Sequence, residues 1–238
     1  MKKTISVIIP AYNEENNIIN TVLRINKTLL SMNMNIEIII VDDGSTDSTL
    51  LLLNKYFDKV LNFKIVNNET NLGKGAAIRA GIDRAMGDYI VFIDADLDIS
   101  SEQIKVLLDI MQIEEADVVI GSKMHKCSVI EYPIGRRILS LGYYFIIKIL
   151  FKLNLHDTQT GLKLFKKEVL KKVSIKEVGF TYDLELLVNI NNLGYKIAEA
   201  PIVLKPQRRF GRLGLGTAWQ IWRDTIKLYF ILRRKNDL

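Results

Sequence analysis

The chain has 238 residues, 48% hydrophobic and 25% charged, which is enough for one sizeable core and excludes a disordered segment or a disulfide-stapled mini-protein. Its formal charge of +6 hides a division: residues 1–120 carry 11 Lys and Arg against 18 Asp and Glu, whereas residues 121–238 carry 22 against 9. An evenly basic chain points to nucleic acid, but an acidic half followed by a basic half points to two different partners, and no nucleic-acid partner is expected. The single cysteine, Cys127, has no internal disulfide partner, and the N-terminus enters a strand-like run without an apolar leader, so the cytoplasm is the expected compartment. Apolar runs such as residues 36–41 and 141–147 fall short of the roughly 18–20 residues a spanning helix needs, and no transmembrane helix is expected.

In chain order, the first 121 residues repeat one alternation: a short β-branched run, a turn rich in Gly, Asp or Asn, then a stretch with helical spacing. Residues 5–9, 36–41, 63–66, 89–93 and 118–120 are predicted strands, and residues 14–30, 47–57, 74–86 and 101–114 are predicted helices. Strands apolar on both faces and separated by helices predict an α/β fold with a Rossmann-like, mostly parallel sheet flanked by helices. Such sheets bind ligands beyond the carboxyl ends of their strands.

Those strand ends are acidic. Pro10-Ala11-Tyr12-Asn13-Glu14 follows the first strand, Asp42-Asp43-Gly44-Ser45-Thr46-Asp47 the second, and Asp94-Ala95-Asp96-Leu97-Asp98 the fourth. Helix capping accounts for Ser45 or Asp47 and for Ser100, and Gly44 suits a turn. Capping uses only one residue per helix, however, and carboxylates gathered at neighbouring strand ends repel one another unless a cation or hydrogen-bond donors offset them. In extended chain Asp94 and Asp96 point the same way and offer two hard oxygen ligands to one divalent ion, with Asp98 as a third. Few protein ligands and open positions suit Mg²⁺ or Mn²⁺ bridging a diphosphate. The segment Asn71-Leu72-Gly73-Lys74-Gly75-Ala76-Ala77 has neither the P-loop spacing nor the Rossmann glycine fingerprint. It reads either as a close approach of helix to sheet or as an opening through which Lys74 or Arg79 faces a nucleotide.

Together, Ile8-Ile9-Pro10-Ala11-Tyr12-Asn13-Glu14, Val41-Asp42-Asp43-Gly44-Ser45-Thr46-Asp47, Leu72-Gly73-Lys74-Gly75 and Asp94-Ala95-Asp96 resemble the inverting family 2 glycosyltransferases. Asp157-Thr158-Gln159-Thr160-Gly161-Leu162-Lys163-Leu164-Phe165 and Phe180-Thr181-Tyr182-Asp183-Leu184-Glu185-Leu186-Leu187 look like the branch that transfers sugars to polyprenyl phosphates, the dolichyl-phosphate glucosyltransferases and mannose synthases. The resemblance covers roughly residues 4–215. It implies a GT-A fold, a nucleotide diphosphate sugar donor with UDP-glucose foremost, and a polyprenyl (dolichyl-type) phosphate acceptor. It further implies that Pro10, Tyr12 and Glu14 line the base and ribose pocket, that Asp42 and Asp43 contact base or ribose, and that Asp94 and Asp96 hold the metal on the diphosphate. Lys123 stands where an arginine often follows the fifth strand, and it replaces the charge but not the planar fork.

Residues 1–122 are accordingly read as the nucleotide-sugar-binding half and residues 123–238 as the acceptor- and membrane-facing half of one catalytic domain, extended by C-terminal amphipathic helices. Arg136, Arg137 and Ser140 open a helix to about residue 153 that is apolar nearly all round over 141–147, with Lys148 and Lys152 near its end. Such a helix is either buried between protein elements or lies in a lipid interface. The basic loop over residues 205–216 sets Arg208, Arg209 and Arg212 beside glycines, a composition suited to anion capture. In the resembling enzymes the corresponding loop closes over donor and acceptor phosphates. A final helix, about residues 217–234, places Trp219, Trp222, Ile226, Tyr229 and Phe230 on one face between basic flanks. That face suits an anionic membrane surface, its own core, or a second subunit of a homo-oligomer. Peripheral attachment at the inner, cytoplasmic face of the membrane, alone or through a membrane partner, is the expected location.

Inverting transfer is an in-line displacement at the anomeric carbon, with metal and cations stabilising the departing diphosphate; Asp96, Arg136, Arg209 and Arg212 are the candidates. A hydroxyl acceptor, as in polysaccharide or glycolipid synthesis, needs a carboxylate base, and Asp183 or Glu185 is the candidate. A polyprenyl monophosphate, with a second pKa of about 6, is largely ionised near neutral pH and needs no base. Lys123, Arg136, Arg137, Arg209 and Arg212 would then hold it, and the basic half of the chain favours that acceptor. A silent nucleotide-sugar-binding module is disfavoured by the intact Asp94 and Asp96 pair.

Overall fold

The computed structural model describes residues 2–58, 60–130, 134–179, 181–204 and 215–236, the side chains of 134–139, 215–220 and 234–236 excepted. Runs of Ile and Val, stiff at χ1 and apolar on both faces, form β1 (Thr4–Ala11), β2 (Asn35–Asp42), β3 (Phe63–Asn67), β4 (Tyr89–Phe92) and β5 (Val118–Ser122). Between them run α1 (Ile18–Leu30), α2 (Thr49–Phe57), α3 (Lys74–Arg84) and α4 (Gln103–Ile113).

α1 and α2 begin later than their apolar periodicity predicts, because the loops ahead of them are tied to each other. The Glu14 amide donates to Thr49 Oγ1 at 2.8 Å, the Glu15 amide to Asp47 Oδ2 at 3.2 Å, and the Ser48 amide to Glu15 Oε2 at 2.9 Å. Asn13, at φ 54°, accepts the Thr46 amide on Oδ1 at 2.8 Å. Asp47 accepts the Thr49 amide at 2.9 Å, but the cap position of α2 is Ser48 and not Ser45 or Asp47, just as that of α4 is Glu102 and not Ser100.

The rest of the chain forms β6 (Val129–Ile130), α5 (Ile134–Phe151), β7 (Lys163–Lys166), α6 (Lys167–Leu170), α7 (Tyr182–Asn192), β8 (Ile197–Pro201), β9 (Val203–Leu204) and α8 (Leu215–Asn236). The main sheet has seven strands in the order β3-β2-β1-β4-β7-β5-β8. Every neighbouring pair is parallel except those made by β7, which runs antiparallel to β4 and β5. Because β7 is reversed, Lys163 at its start lies opposite Phe92 and Ile120, near the carboxyl ends of β4 and β5. Residues 157–162 are thereby delivered to the same edge as the acidic loops. That edge also holds the switch point, since the chain leaves β1 toward β2 on one side and returns to β4 on the other. The basic half contributes β7 and β8 to this sheet, so both halves share one core.

One sheet face buries Ile5, Val7, Ile9, Ile38 and Ile40 against Val22, Ile25, Leu53 and Leu107 of α1, α2 and α4. The other buries Ile8, Ile39, Phe92 and Phe165 against α3, α5, α7 and α8, including Ile78, Ile147, Leu187 and Leu228. Each such side chain contributes about 1.5–3 kcal/mol. α5 turns Tyr144, Ile147 and Phe151 inward, as the buried alternative has it, while leaving Leu141, Phe145 and Ile149 exposed. α8 docks on its own core through Thr225, Leu228 and Leu232. Of the aromatic face, Ile226 and Tyr229 are half-buried, whereas Trp222 and Phe230 remain exposed. Trp219's side chain lies outside the described residues. Among the described residues no helix is long and apolar enough to cross a membrane.

Candidate active site

A cavity of 470 Å³ opens beyond the carboxyl ends of β1, β2 and β4, lined by Pro10, Ala11, Tyr12, Glu14, Asp43, Asn71, Gly73, Lys74, Asp94 and Asp96. Asp43 shapes one wall: Oδ1 accepts from Asn68 Nδ2 at 2.7 Å and from the Leu72 amide at 3.1 Å, and Oδ2 accepts from the Gly73 amide at 2.8 Å. Gly73 sits at φ +95°, and a Cβ there would lie 2.5 Å from the Val178 carbonyl oxygen, so only glycine holds this corner. Of the two aspartates that end β2, only Asp43 lines the cavity. Asp42 is completely buried; Oδ2 accepts the Ser45 amide at 3.2 Å and Oδ1 has no partner. Lys74 faces the cavity, whereas Arg79 turns away and donates to the Ile175 carbonyl at 3.1 Å.

A second cavity of 200 Å³ abuts the first, shares Asp94 and Asp96 with it, and is lined further by Asp98, Lys123, Gln159, Thr160 and Gly161. Lys74 Nζ lies 2.5 Å from Asp94 Oδ1. Burial opposes both charges, yet Asp94 holds the Lys74 ammonium above its ordinary range, and Lys74, Lys163 and Lys123 hold the Asp94 carboxyl below its own. Asp96 behaves oppositely: burial, then the nearby charge of Asp94, pushes its carboxyl up to about 6. A bound cation would reverse that, and hard carboxylate oxygens suit Mg²⁺ or Mn²⁺. Among the described residues no group of three His, Cys, Asp or Glu side chains is arranged to hold a metal. Asp94 and Asp96 are the carboxylates that line both cavities. Asp98, expected as a third ligand, donates its backbone N–H to Asp96 Oδ1 at 3.1 Å.

Asp157 gathers the far wall. Its Oδ2 accepts the Lys123 amide at 2.9 Å and Thr160 Oγ1 at 2.5 Å and lies 3.3 Å from Lys123 Nζ, while Oδ1 accepts the Gln159 amide at 3.1 Å. A Cβ on Gly161 would stand 2.0 Å from Asp94 Oδ2, so glycine lets this segment close on the carboxylate. Beneath it, the fully buried Lys163 places Nζ 2.6 Å from Asp183 Oδ1 and also donates to the Thr160 carbonyl. Asp183 and Glu185, the two base candidates, line neither cavity. Glu185 Oε2 accepts the amides of Lys176 and Glu177, both at 2.8 Å, and so anchors the loop ahead of α7.

Asp157 and Lys163 carry no role that sequence reasoning assigns, and the local signal for both is the Asp-Thr-Gln-x-Gly-x-Lys spacing that contains them. Arg136 and Arg137 stand in the first turn of α5, but their side chains lie outside the described residues, as do Arg208, Arg209 and Arg212 altogether.

The sequence matches the profile of glycosyl transferase family 2 over residues 6–174. It is 32% identical over 213 residues to a dolichyl-phosphate beta-glucosyltransferase of Dictyostelium discoideum, covering 83% of this chain and 65% of that protein. It is 28% identical over 207 residues to the glycosyltransferase AglD of Haloferax volcanii, covering 85% of this chain and 33% of that protein. The chain thus spans just under two thirds of the length of its glucosyltransferase relatives, 65% and 64% for two of them. Among solved structures, glucosyl-3-phosphoglycerate synthase from Mycobacterium tuberculosis, in complex with Mn²⁺, UDP and glucosyl-3-phosphoglycerate, superposes with a TM-score of 0.72 at 23% identity, covering 95% of this chain and 80% of that one.

Proposed function

The chain belongs to glycosyl transferase family 2, and we propose that it transfers a hexose, glucose foremost and mannose next, from a nucleotide diphosphate sugar to a polyprenyl (dolichyl-type) phosphate with inversion at the anomeric carbon. The names of the relatives support the acceptor and the glucose. The structural neighbour's Mn²⁺ and UDP support a uridine nucleotide and a divalent cation, Mg²⁺ or Mn²⁺.

In this reading the wall made by Pro10, Tyr12, Glu14 and Asp43 receives the nucleoside, and Asp94 and Asp96 face the diphosphate at the junction of the two cavities. A divalent cation held there would neutralise the charge that develops on the departing nucleotide. Lys74 fixes Asp94, and Lys123, itself fixed by Asp157, presents an ammonium to the second cavity, where the acceptor phosphate oxygen attacks. The observation that carries the phosphate acceptor is the placement of the carboxylates. Both base candidates lie outside the cavities while a lysine lines the second one, which suits a nucleophile ionised before it binds. Arg136, Arg137, Arg209 and Arg212 are proposed as further cations around that phosphate. Residues 1–122 supply most of the donor cavity, and residues 123–238 join them in lining the acceptor-side cavity.

The exposed stripe Leu141, Phe145 and Ile149 on α5, bordered by exposed Lys148 and Lys152, is proposed to rest on anionic lipid at the cytoplasmic face of the membrane. Incubation with sugar-labelled UDP-glucose, Mg²⁺ or Mn²⁺ and polyprenyl phosphate should move label into the chloroform phase. Absence of lipid-linked sugar with every common donor would overturn the proposal.

A further inference from the structure

β8 pairs in parallel with β5, Glu199 opposite Ile120 and Pro201 opposite Ser122, which sets Glu199 beside the strand end that leads into Lys123. Its carboxylate reaches the segment between α5 and β7. Oε1 accepts the amides of His156 at 3.0 Å and Asp157 at 3.2 Å, and Oε2 lies 2.6 Å from His156 Nδ1. One side chain, itself only 14% exposed, thus fixes two successive peptide groups and a ring through charge-assisted bonds, about twice as strong as neutral ones. On the opposite side the His156 ring stacks on Tyr144 of α5, with centroids 4.8 Å apart and planes 15° from parallel. The backbone clamped in this way carries Asp157, the residue that grips Lys123 by both its amide and its ammonium.

We propose that Glu199 is a positioning residue for transfer, which sets the Lys123 ammonium in the acceptor-side cavity through His156 and Asp157. The inference rests on the reading of Lys123 as a cation for the acceptor phosphate. Lys123 lines the acceptor-side cavity and not the donor cavity, and it reaches the donor side only through its charge on Asp94, so releasing this clamp should weigh on the acceptor more than on the donor.

Steady-state kinetics with UDP-glucose, Mn²⁺ and polyprenyl phosphate, run on Glu199→Ala, Glu199→Gln, Lys123→Ala and the Glu199→Ala/Lys123→Ala double variant, test this. Glu199→Ala should raise the acceptor KM about tenfold, while the donor KM stays within about twofold. Glu199→Gln should fall between, since an amide oxygen still accepts backbone N–H groups but carries no charge. In the Lys123→Ala background the Glu199 substitution should add less than about twofold, because the residue it positions is gone. Effects that multiply in the double variant, or a donor KM that moves as much as the acceptor KM, would overturn the assignment. If Glu199→Ala does not fold, the isosteric Glu199→Gln carries the same comparison in both backgrounds. A Lys123→Ala enzyme with an unchanged acceptor KM would instead remove the phosphate-holding reading of Lys123 on which the inference stands.

Discussion

Gly161→Ala should disable transfer while leaving the fold in place. The added Cβ would stand 2.0 Å from Asp94 Oδ2, 2.4 Å from its Cγ and 2.8 Å from its Oδ1, whereas a carbon–oxygen contact settles near about 3.3 Å. Relief therefore requires a shift of about 1.3 Å, the difference between those two separations. The backbone beside Gly161 has little room to provide it, because the Leu162 carbonyl accepts the Gly121 amide at 2.9 Å and the Thr160 hydroxyl is bonded to Asp157 at 2.5 Å. The Asp94 side chain must move, and with it the 2.5 Å contact to Lys74. A misplacement of about 1 Å at a reacting centre can cost about a hundredfold, and that is the expected fall in kcat. The backbone at Gly161 lies outside the left-handed region, so alanine adds no conformational strain there and Tm should change by only a few degrees. Initial rates at saturating UDP-glucose and Mn²⁺, beside a thermal melt, decide the matter. A folded Gly161→Ala enzyme that keeps more than about a third of wild-type turnover would refute the reasoning.

Asp96→Asn should lower kcat by about a hundredfold or more and raise the Mn²⁺ concentration for half-maximal activity; a Mn²⁺ titration with an unchanged midpoint would contradict the metal-facing role proposed for it. Lys163→Met should destabilise the protein by about 3–5 kcal/mol in urea denaturation, since it strands a buried carboxylate, whereas Lys163→Met with Asp183→Leu should recover much of that loss. Burial opposes the charge on Asp157, but Lys123 and the donors of Thr160 and Gln159 hold its carboxyl below the ordinary value of 3.8. The stability it contributes is complete above that value and is lost as pH falls through the lower, folded-state value. Asp157→Asn should therefore be less stable than wild type at neutral pH, with the gap closing on acidification below about pH 4 in pH-dependent unfolding curves. Phe145→Glu with Ile149→Glu should weaken sedimentation with anionic vesicles while leaving UDP-glucose binding unchanged; equal sedimentation would show that the α5 stripe does not meet lipid.

The strands of the acidic half were legible because their residues are β-branched and apolar on both faces, a pattern only a covered sheet tolerates. β7 was not, since two of its four residues are lysines and its neighbours in the sheet come from distant segments. The same long-range dependence explains Asp183: its counter-charge, Lys163, sits 20 positions earlier, and no local spacing reveals that the carboxylate is already engaged. Asp42 and Asp43 read alike in sequence, yet consecutive residues at a strand end point to opposite sides, and only one of them meets the cavity. On α8 the aromatic arc drew attention by composition, but burial follows the arc of Thr225, Leu228 and Leu232, which fits the sheet. The acidic edge itself, with Asp94 and Asp96 at its centre, was readable from sequence because like charges at neighbouring strand ends need a cation or hydrogen-bond donors to offset them, and here Lys74 beside Asp94 and the amides on Asp43 are among the groups that do so.

A transfer assay with matched acceptors tests the central claim most directly: sugar-labelled UDP-glucose and Mn²⁺ offered a polyprenyl phosphate in one reaction and the corresponding polyprenol in another. Label should enter the phosphate alone, as a glycosyl phosphate of configuration opposite to the donor's, and chelation of the cation should stop it. Label on the polyprenol, or on neither acceptor with any common nucleotide sugar, would contradict a metal-assisted transfer to a pre-ionised lipid phosphate.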